Sequence, residues 1–105
     1  MSAPKRDIII APDARRDLRG ILAYTQIHWG HEQRLKYRVK IYNEFDQLAI
    51  FPFKGRARDE ISEGLRSVPV DQHLVYYRVG KNSITIHRIV HSKSDISEEH
   101  GLTRD

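Results

Sequence analysis

Apolar residues recur every three or four positions through the first half of the chain, which is the spacing of an amphipathic helix. One such stretch begins at Pro12, a residue suited to the first turn of a helix, and ends before Gly30. A second covers residues 32–50 and ends before Pro52. Because almost no loop separates them, the two predicted helices form an antiparallel hairpin. The predicted core stripe of the first helix comprises Ala14, Leu18, Ile21, Leu22, Thr25 and Trp29.

Short β-branched or alternating runs predict strands on both sides of this hairpin. Residues 8–10 predict a buried strand, residues 53–63 a charged loop, and 65–70, 73–79 and 84–91 three further strands. Pro69 marks an edge or a bulge in its strand. The predicted fold class is α+β, in the order β-α-α-β-β-β, with a helical hairpin packed on a small, mostly antiparallel sheet. In the last strand, strict alternation places Ile84, Ile86 and Val90 on one face and Thr85, His87, Ile89 and His91 on the other.

The predicted second helix has more apolar surface than one packed face needs. At about 100° per residue its apolar positions cover an arc of roughly 200°, in two adjacent stripes. One stripe is expected to belong to the core and the other to be available to a partner. Arg34 and Arg38 fall inside the arc. The first stripe is Tyr37, Ile41, Phe45 and Leu48, and the second is Leu35, Val39, Tyr42 and Ala49.

Length and composition indicate one ordered domain. The chain has 105 residues, 39% hydrophobic and 30% charged, so we expect a single domain over 1–92 and a polar tail over 93–105. The absence of Cys excludes a disulfide framework and fits a reducing cytoplasm. The apolar run at 8–11 is too short for a signal peptide or a membrane span. A net charge of +4 favours an acidic partner, either nucleic acid or protein.

Four groups of residues, taken in this order, resemble the ParE branch of the RelE/ParE superfamily of toxins. They are Asp17-Leu18-Arg19-Gly20-Ile21 with Tyr24-Thr25 and Trp29-Gly30; Phe51-Pro52, Gly55-Arg56 and Asp59-Glu60-Ile61; Gly64-Leu65-Arg66-Ser67, His73 and Tyr76-Tyr77-Arg78-Val79; and Ile86, Arg88-Ile89-Val90-His91 and Asp95. The resemblance implies the toxin of a type II toxin–antitoxin system. ParE members typically poison DNA gyrase, whereas RelE members cut mRNA on the ribosome.

The resemblance also implies a partner, a cognate antitoxin in a hetero-oligomeric complex. We expect an acidic antitoxin segment that folds as it binds across the second apolar stripe. The candidate antitoxin-binding residues are Leu35, Arg38, Val39 and Tyr42. No cofactor and no metal are expected, because His87 and His91 on one strand would stand about 13 Å apart, too far to share an ion.

Two activities remain open for the second half of the chain. Candidate contacts to a gyrase target are Arg66, Tyr77, Arg88 and His91. If the chain were instead an endoribonuclease, Arg66, Arg88 and His91 would be its catalytic residues, because RNA cleavage needs an acid–base group and phosphate-binding cations. Ribonuclease relatives have basic residues before the position of His73, where this chain has Val68-Pro69-Val70. Some also have Tyr where this chain has Ser92.

Less specific interpretations stand beside these. Arg66, Tyr77 and Arg88 would equally serve as half-buried strand residues with satisfied polar tips, and His73 and His91 as structural histidines. A third function is a basic module that binds nucleic acid without toxicity, with affinity that falls steeply with salt. The scattered basic residues and the lack of an aromatic ladder argue against it.

Overall fold

A computed structural model describes residues 5–94, which form two helices on one face of a five-stranded sheet. The elements are β1 (Asp7–Ile10), α1 (Pro12–Trp29), α2 (His31–Ile50), β2 (Arg56–Ala57), β3 (Leu65–Val70), β4 (His73–Val79) and β5 (Ser83–His91). The strand order is β1-β5-β4-β3-β2, and β1 pairs with β5 in parallel while the other pairs are antiparallel. This confirms the α+β prediction of a helical hairpin on a mostly antiparallel sheet. The predicted tail lies outside the described residues from position 95 onward.

The helical hairpin turns on a single residue, Gly30. Its φ of 95° is a conformation that side chains with a Cβ rarely adopt, and its N–H still donates to the carbonyl of Gln26. The prediction that Trp29 belongs to the core is wrong, because its side chain is 71% exposed. The last buried residue of α1 is Leu22, so the final two turns of the helix carry Trp29 beyond the core. The side chains that the two helices bury are Ala14, Leu18, Leu22, Ile41, Phe45, Leu48 and Ala49.

Strand β5 contains a bulge that changes which side chains face the helices. Tyr76 pairs with Arg88 while Tyr77 pairs with Ile86, so His87 is the extra residue. After the bulge the alternation is reversed, and Ile89 joins the helix-side core with Ile84 and Ile86. Val90 lies in a separate cluster with Leu65 and Tyr76. The predicted grouping of Ile84, Ile86 and Val90 on one face is therefore wrong.

The first strand is an edge strand rather than the buried strand that its sequence predicts. It pairs only with β5, from Asp7 opposite Ser83 to Ile10 opposite Ile86, and the side chain of Ile9 is half exposed. The chain then turns into α1, with the N–H of Ala11 donating to the carbonyl of Ile86. Residues 87–91 of β5 consequently have no strand on that side, and α1 lies there instead.

The predicted loop 53–63 contains a two-residue strand, β2, which was not predicted. It pairs with β3 only at Arg66 and Ser67. Pro69 lies past the end of β2, on a part of β3 that is an edge, as the missing N–H of proline requires. The rest of the loop brings Ile61 against the cluster of Leu65, Tyr76 and Val90 on the face away from the helices.

Candidate functional site

His73, His91 and Tyr37 come together at the end of the sheet that lies nearest the turn of the helical hairpin. His73 begins β4 directly opposite His91 at the end of β5, and their ring centroids are 5.6 Å apart in an edge arrangement. The Tyr37 hydroxyl, from α2, donates to the carbonyl of Val70 at 2.8 Å and lies 2.6 Å from Nδ1 of His73. Because the hydroxyl proton is used on the carbonyl, Nδ1 of His73 must carry the hydrogen of the second bond.

This environment keeps both groups of the Tyr37–His73 pair neutral at physiological pH. Burial, with a smaller contribution from Asp71, raises the pKa of Tyr37 to about 12. Burial, followed by repulsion from His91, lowers the pKa of His73 from its ordinary 6.5, while Asp71 acts in the opposite direction. A neutral pair bound to a backbone carbonyl supplies structure at the β3–β4 turn.

Two adjoining grooves meet over this cluster, with volumes of about 430 Å³ and 490 Å³. Tyr24, Thr25, Gln72 and His73 line both of them. The smaller groove continues toward the hairpin turn, and the larger continues along α1 toward the end of β5. The aromatic residue Tyr24 is 61% exposed, so the outer wall of both grooves is open to a partner.

Arg88 is held by α1. Its Nε and Nη2 donate to the two carboxylate oxygens of Asp17 at 2.7 and 3.0 Å, and the backbone N–H of Ile89 donates to the same carboxylate at 2.9 Å. The N–H of Ile89 lies on the edge of β5 beyond the end of β1, where no neighbouring strand within residues 5–94 accepts it. The Asp17 carboxylate accepts it instead. Only 15% of the Asp17 side chain and 18% of the Arg88 side chain are exposed. These contacts give Arg88 a structural role.

Arg66 and Tyr77 hold the segment that follows α2. The Tyr77 side chain is fully buried; its hydroxyl donates to the carbonyl of Pro52 and accepts the N–H of Gly55. A Cβ at Gly55 would collide with that hydroxyl, which accounts for the glycine. Arg66 donates to the carbonyl of Gly55 at 2.7 Å and lies over the ring of Phe53. With no exposed surface, Tyr77 is not a contact for a target, contrary to the prediction.

The sheet separates Arg66 from His91, two of the three predicted ribonuclease residues. Arg66 pairs with Tyr77, whereas His91 pairs with His73, so they differ by four residues along the sheet and by two strands across it. That separation is roughly 16 Å at ordinary strand spacings. Nδ1 of His91 accepts the N–H of Lys93. Before His73, where ribonuclease relatives have basic residues, this chain has Val68 and Val70, and the side chains of both are buried in the core.

The candidate antitoxin surface lies on the outer side of α2. Leu35 and Val39 are 49% and 56% exposed, one turn apart on the same stripe. Tyr42 is partly buried against the core with its ring edge-on to Phe45, and the Arg38 guanidinium lies 4.7 Å from the Tyr42 ring centroid. The structure therefore places all four candidates on one helix, with Tyr42 linking the outer surface to the core.

Within residues 5–94, no group of three or more His, Cys, Asp or Glu residues could hold a metal ion. In the same part of the chain, neither helix is long and apolar enough to cross a membrane.

Two helices on one face of a small, mostly antiparallel sheet are the architecture of the RelE/ParE superfamily. Residues 8–96 match the family model described as ParE toxin of type II toxin-antitoxin system, parDE, and the chain belongs to that family. It is 33% identical over 89 residues to Toxin ParE1 of Mycobacterium tuberculosis, covering 84% of this chain and 91% of that one. It is 32% identical over 92 residues to Toxin ParE of Escherichia coli, covering 84% and 86%.

The fold recurs among solved structures. The chromosomal ParDE TA system from P. aeruginosa contains a chain that superposes with a TM-score of 0.72 at 22% identity, covering 85% of this chain and 98% of that one. The arrangement of two helices on a five-stranded sheet is thus a known fold.

Sequence reasoning missed two features of this region. Tyr37 was assigned to the core stripe of α2, but its hydroxyl reaches the β3–β4 turn; a tyrosine on a core stripe signals a need for a polar partner. Tyr24 belongs to the residues that carry the family resemblance, but its position on α1 after the last buried residue, Leu22, does not predict that it lines a groove.

Proposed function

We propose that this chain is a cytoplasmic toxin that inhibits DNA gyrase without being an enzyme, and that an acidic antitoxin neutralises it in a hetero-oligomeric complex. The observation that carries the proposal is membership of the ParE toxin family over residues 8–96. Gyrase inhibition is the activity typical of that family.

The placement of the arginines supports a binding role over an enzymatic one. A metal-free ribonuclease needs a cation free to stabilise the charge that develops on the phosphate. Here Arg88 is bound to Asp17 in a bidentate pair, and Arg66 lies two strands away from His91. His91 faces His73 rather than a cation. Such an arrangement leaves His91 and Arg66 as candidate surface contacts and gives RNA cleavage no assembled acid–base site.

The apolar stripe on α2 supports the antitoxin as partner. Exposure of the apolar side chains of Leu35 and Val39 to water is unfavourable in free energy. A partner that covers them gains the free energy of burying that apolar surface. Arg38, exposed beside this stripe, is available to a carboxylate of an acidic antitoxin segment. The net charge of +4 favours the same partner.

The deciding experiment compares the wild-type chain with His91→Ala. Each is induced in cells without antitoxin, and each purified protein is tested for accumulation of gyrase-cleaved DNA and for cleavage of ribosome-bound mRNA. Because a single side chain contributes only part of a binding surface, we expect growth arrest and cleaved DNA from both proteins and no RNA cleavage from either. A His91→Ala protein that is folded and binds antitoxin but is harmless, beside a wild type that cuts mRNA, would establish the endoribonuclease instead.

A further inference from the structure

Aromatic and polar side chains from three elements line the smaller groove, which lies beside the turn of the helical hairpin. Tyr24 and Trp29 come from the last turns of α1, Gln33 and Tyr37 from the first turns of α2, and Asp71 and His73 from the β3–β4 turn. Tyr24 and Trp29 are 61% and 71% exposed, although neither is needed for the core. Large aromatic side chains left open beside a groove indicate a surface that a partner covers.

The charge of this groove is opposite to that of the protein. Asp71 is its one charged lining residue among the described part of the chain, and burial keeps His73 neutral by lowering its pKa. The rest of the lining is aromatic, amide or hydroxyl. On a chain of net charge +4, a carboxylate among aromatic faces is suited to a cation, which the ring faces and the carboxylate both attract.

Asp71 occupies a turn position with a left-handed backbone conformation. Its φ is +52°, and it is the one non-glycine residue among the described positions with a positive φ. In a two-residue turn between β3 and β4, glycine adopts this conformation without steric cost. Asparagine and aspartate are among the few other residues that tolerate this conformation, so the turn admits the Asp71 carboxylate without requiring it.

We propose that this groove binds an arginine side chain of the antitoxin, with the guanidinium stacked on Trp29 or Tyr24 and paired with Asp71. The inference rests on the proposed function, since it names a contact of the same partner. A planar guanidinium stacks on aromatic rings and forms two parallel bonds to a carboxylate, which a lysine ammonium does not. The groove volume of about 430 Å³ accommodates one such side chain.

Lys40 already contacts Asp71, but it does not exclude this ligand. Its Nζ lies 3.0 and 3.3 Å from the two carboxylate oxygens, and both side chains of the pair are at least half exposed. An exposed pair of this kind adds little stability. The carboxylate has about four lone-pair sites, so a guanidinium can bind from the groove while Lys40 stays outside or moves away.

Trp29 gives a direct measurement because it is the only tryptophan in the chain. Acetyl-arginine methylamide is titrated into the full-length protein while Trp29 fluorescence is followed, with the citrulline compound as the neutral isostere. We expect a saturable change at a concentration on the order of millimolar for arginine, and about tenfold weaker binding for citrulline. Equal responses to both compounds would overturn the proposal. Guanosine monophosphate is titrated as a stand-in for nucleic acid, and tighter binding of this nucleotide than of the arginine compound would also overturn it.

Two variants of equal charge change provide the matched comparison. Asp71→Asn removes the carboxylate and keeps a residue that tolerates positive φ. Asp46→Asn removes the carboxylate of another exposed Asp–Lys pair, with Lys5. Arginine binding should weaken by about tenfold in Asp71→Asn and stay unchanged in Asp46→Asn. Equal effects of the two substitutions would show a general charge effect and reject the site.

The antitoxin itself supplies the final test. Its arginines are changed to glutamine one at a time, and each variant is bound to wild-type toxin and to Asp71→Asn. For one antitoxin arginine, the change to glutamine should weaken binding to the wild-type toxin. The same change should weaken binding to Asp71→Asn hardly at all, because the contact is already lost there. If the antitoxin binds tightly but every arginine behaves alike toward both toxins, this site is wrong while the proposed function stands. If no antitoxin binds the wild type, the proposed function itself fails.

Discussion

The contact between Asp17 and Arg88 is expected to be the most sensitive polar interaction in the molecule. The Asp17 carboxylate accepts three N–H groups, two from Arg88 and one from the backbone of Ile89. Both side chains are more than four-fifths buried, so the pair is shielded from solvent. Asp17→Asn keeps the shape of the side chain but removes its charge and replaces one acceptor by a donor.

The expected cost follows from these bonds. A hydrogen bond to a charged group contributes about 1.5–3 kcal/mol, and leaving one partner of a buried pair unmatched costs about 3–5 kcal/mol. Because an asparagine retains one acceptor, we expect Asp17→Asn to lower the free energy of unfolding by about 2–3 kcal/mol. For a small domain with a total of about 5–15 kcal/mol, this is a large fraction. Urea unfolding of the purified chain measures it as a shift of the midpoint.

Two further variants show whether the loss comes from the pair. Asp13→Asn removes a carboxylate one turn earlier on α1, where Asp13 and Arg16 are 56% and 67% exposed, and should cost under about 1 kcal/mol. Arg88→Met combined with Asp17→Asn should cost less than the sum of the single changes, because the second change removes a charge already left unpaired. A cost below about 0.5 kcal/mol for Asp17→Asn, or strict additivity, would refute this account.

Other outcomes follow from the same contacts. Val39→Ser with Tyr42→Gln should weaken antitoxin binding at least tenfold, since about 1.4 kcal/mol of apolar burial is lost; unchanged affinity in calorimetry would exclude this surface. Arg38→Glu should slow antitoxin association and flatten its salt dependence in stopped-flow measurements, and a rate indifferent to both would reject the charge pairing. Because the folded-state pKa of His73 lies below its ordinary 6.5, stability should be full above that pH and fall as the pH drops below it; His73→Gln should remove that part of the loss in urea titrations between pH 7 and 5, and an unchanged pH slope would reject the assignment.

Most helices and strands could be predicted because their signals are local. Gly30, Pro12 and the three-to-four-residue apolar spacing determine the helical hairpin within a few positions. The bulge at His87 could not be found this way, because isoleucines occupy both parities of β5 and fit either register. Likewise β2 has two residues, too few for any periodicity, and forms only because β3 offers it a partner.

The candidate site was harder to predict because its contacts join distant parts of the chain. Asp17 and Arg88 are 71 positions apart, and Tyr37 and His73 are 36 apart. The sequence offered Arg88 as a target contact or as a satisfied strand residue, and the contact with Asp17 supports the second. It offered Trp29 as core because its helical phase matches that of Leu22; phase gives the direction of a side chain but not where the core ends.

The residues that carry the family resemblance are mainly residues that hold the fold together. Gly30 turns the helical hairpin, Asp17 binds Arg88 and the free edge of β5, and Gly55 leaves room for the buried hydroxyl of Tyr77. A motif built of such contacts identifies the toxin domain while saying little about its target, since relatives with different targets need the same framework. The partner specificity of this chain must then lie in exposed side chains outside that framework. Leu35 and Val39 on α2, and Asp71 beside the aromatic groove, are such exposed positions, and substitutions there should change binding without changing the fold.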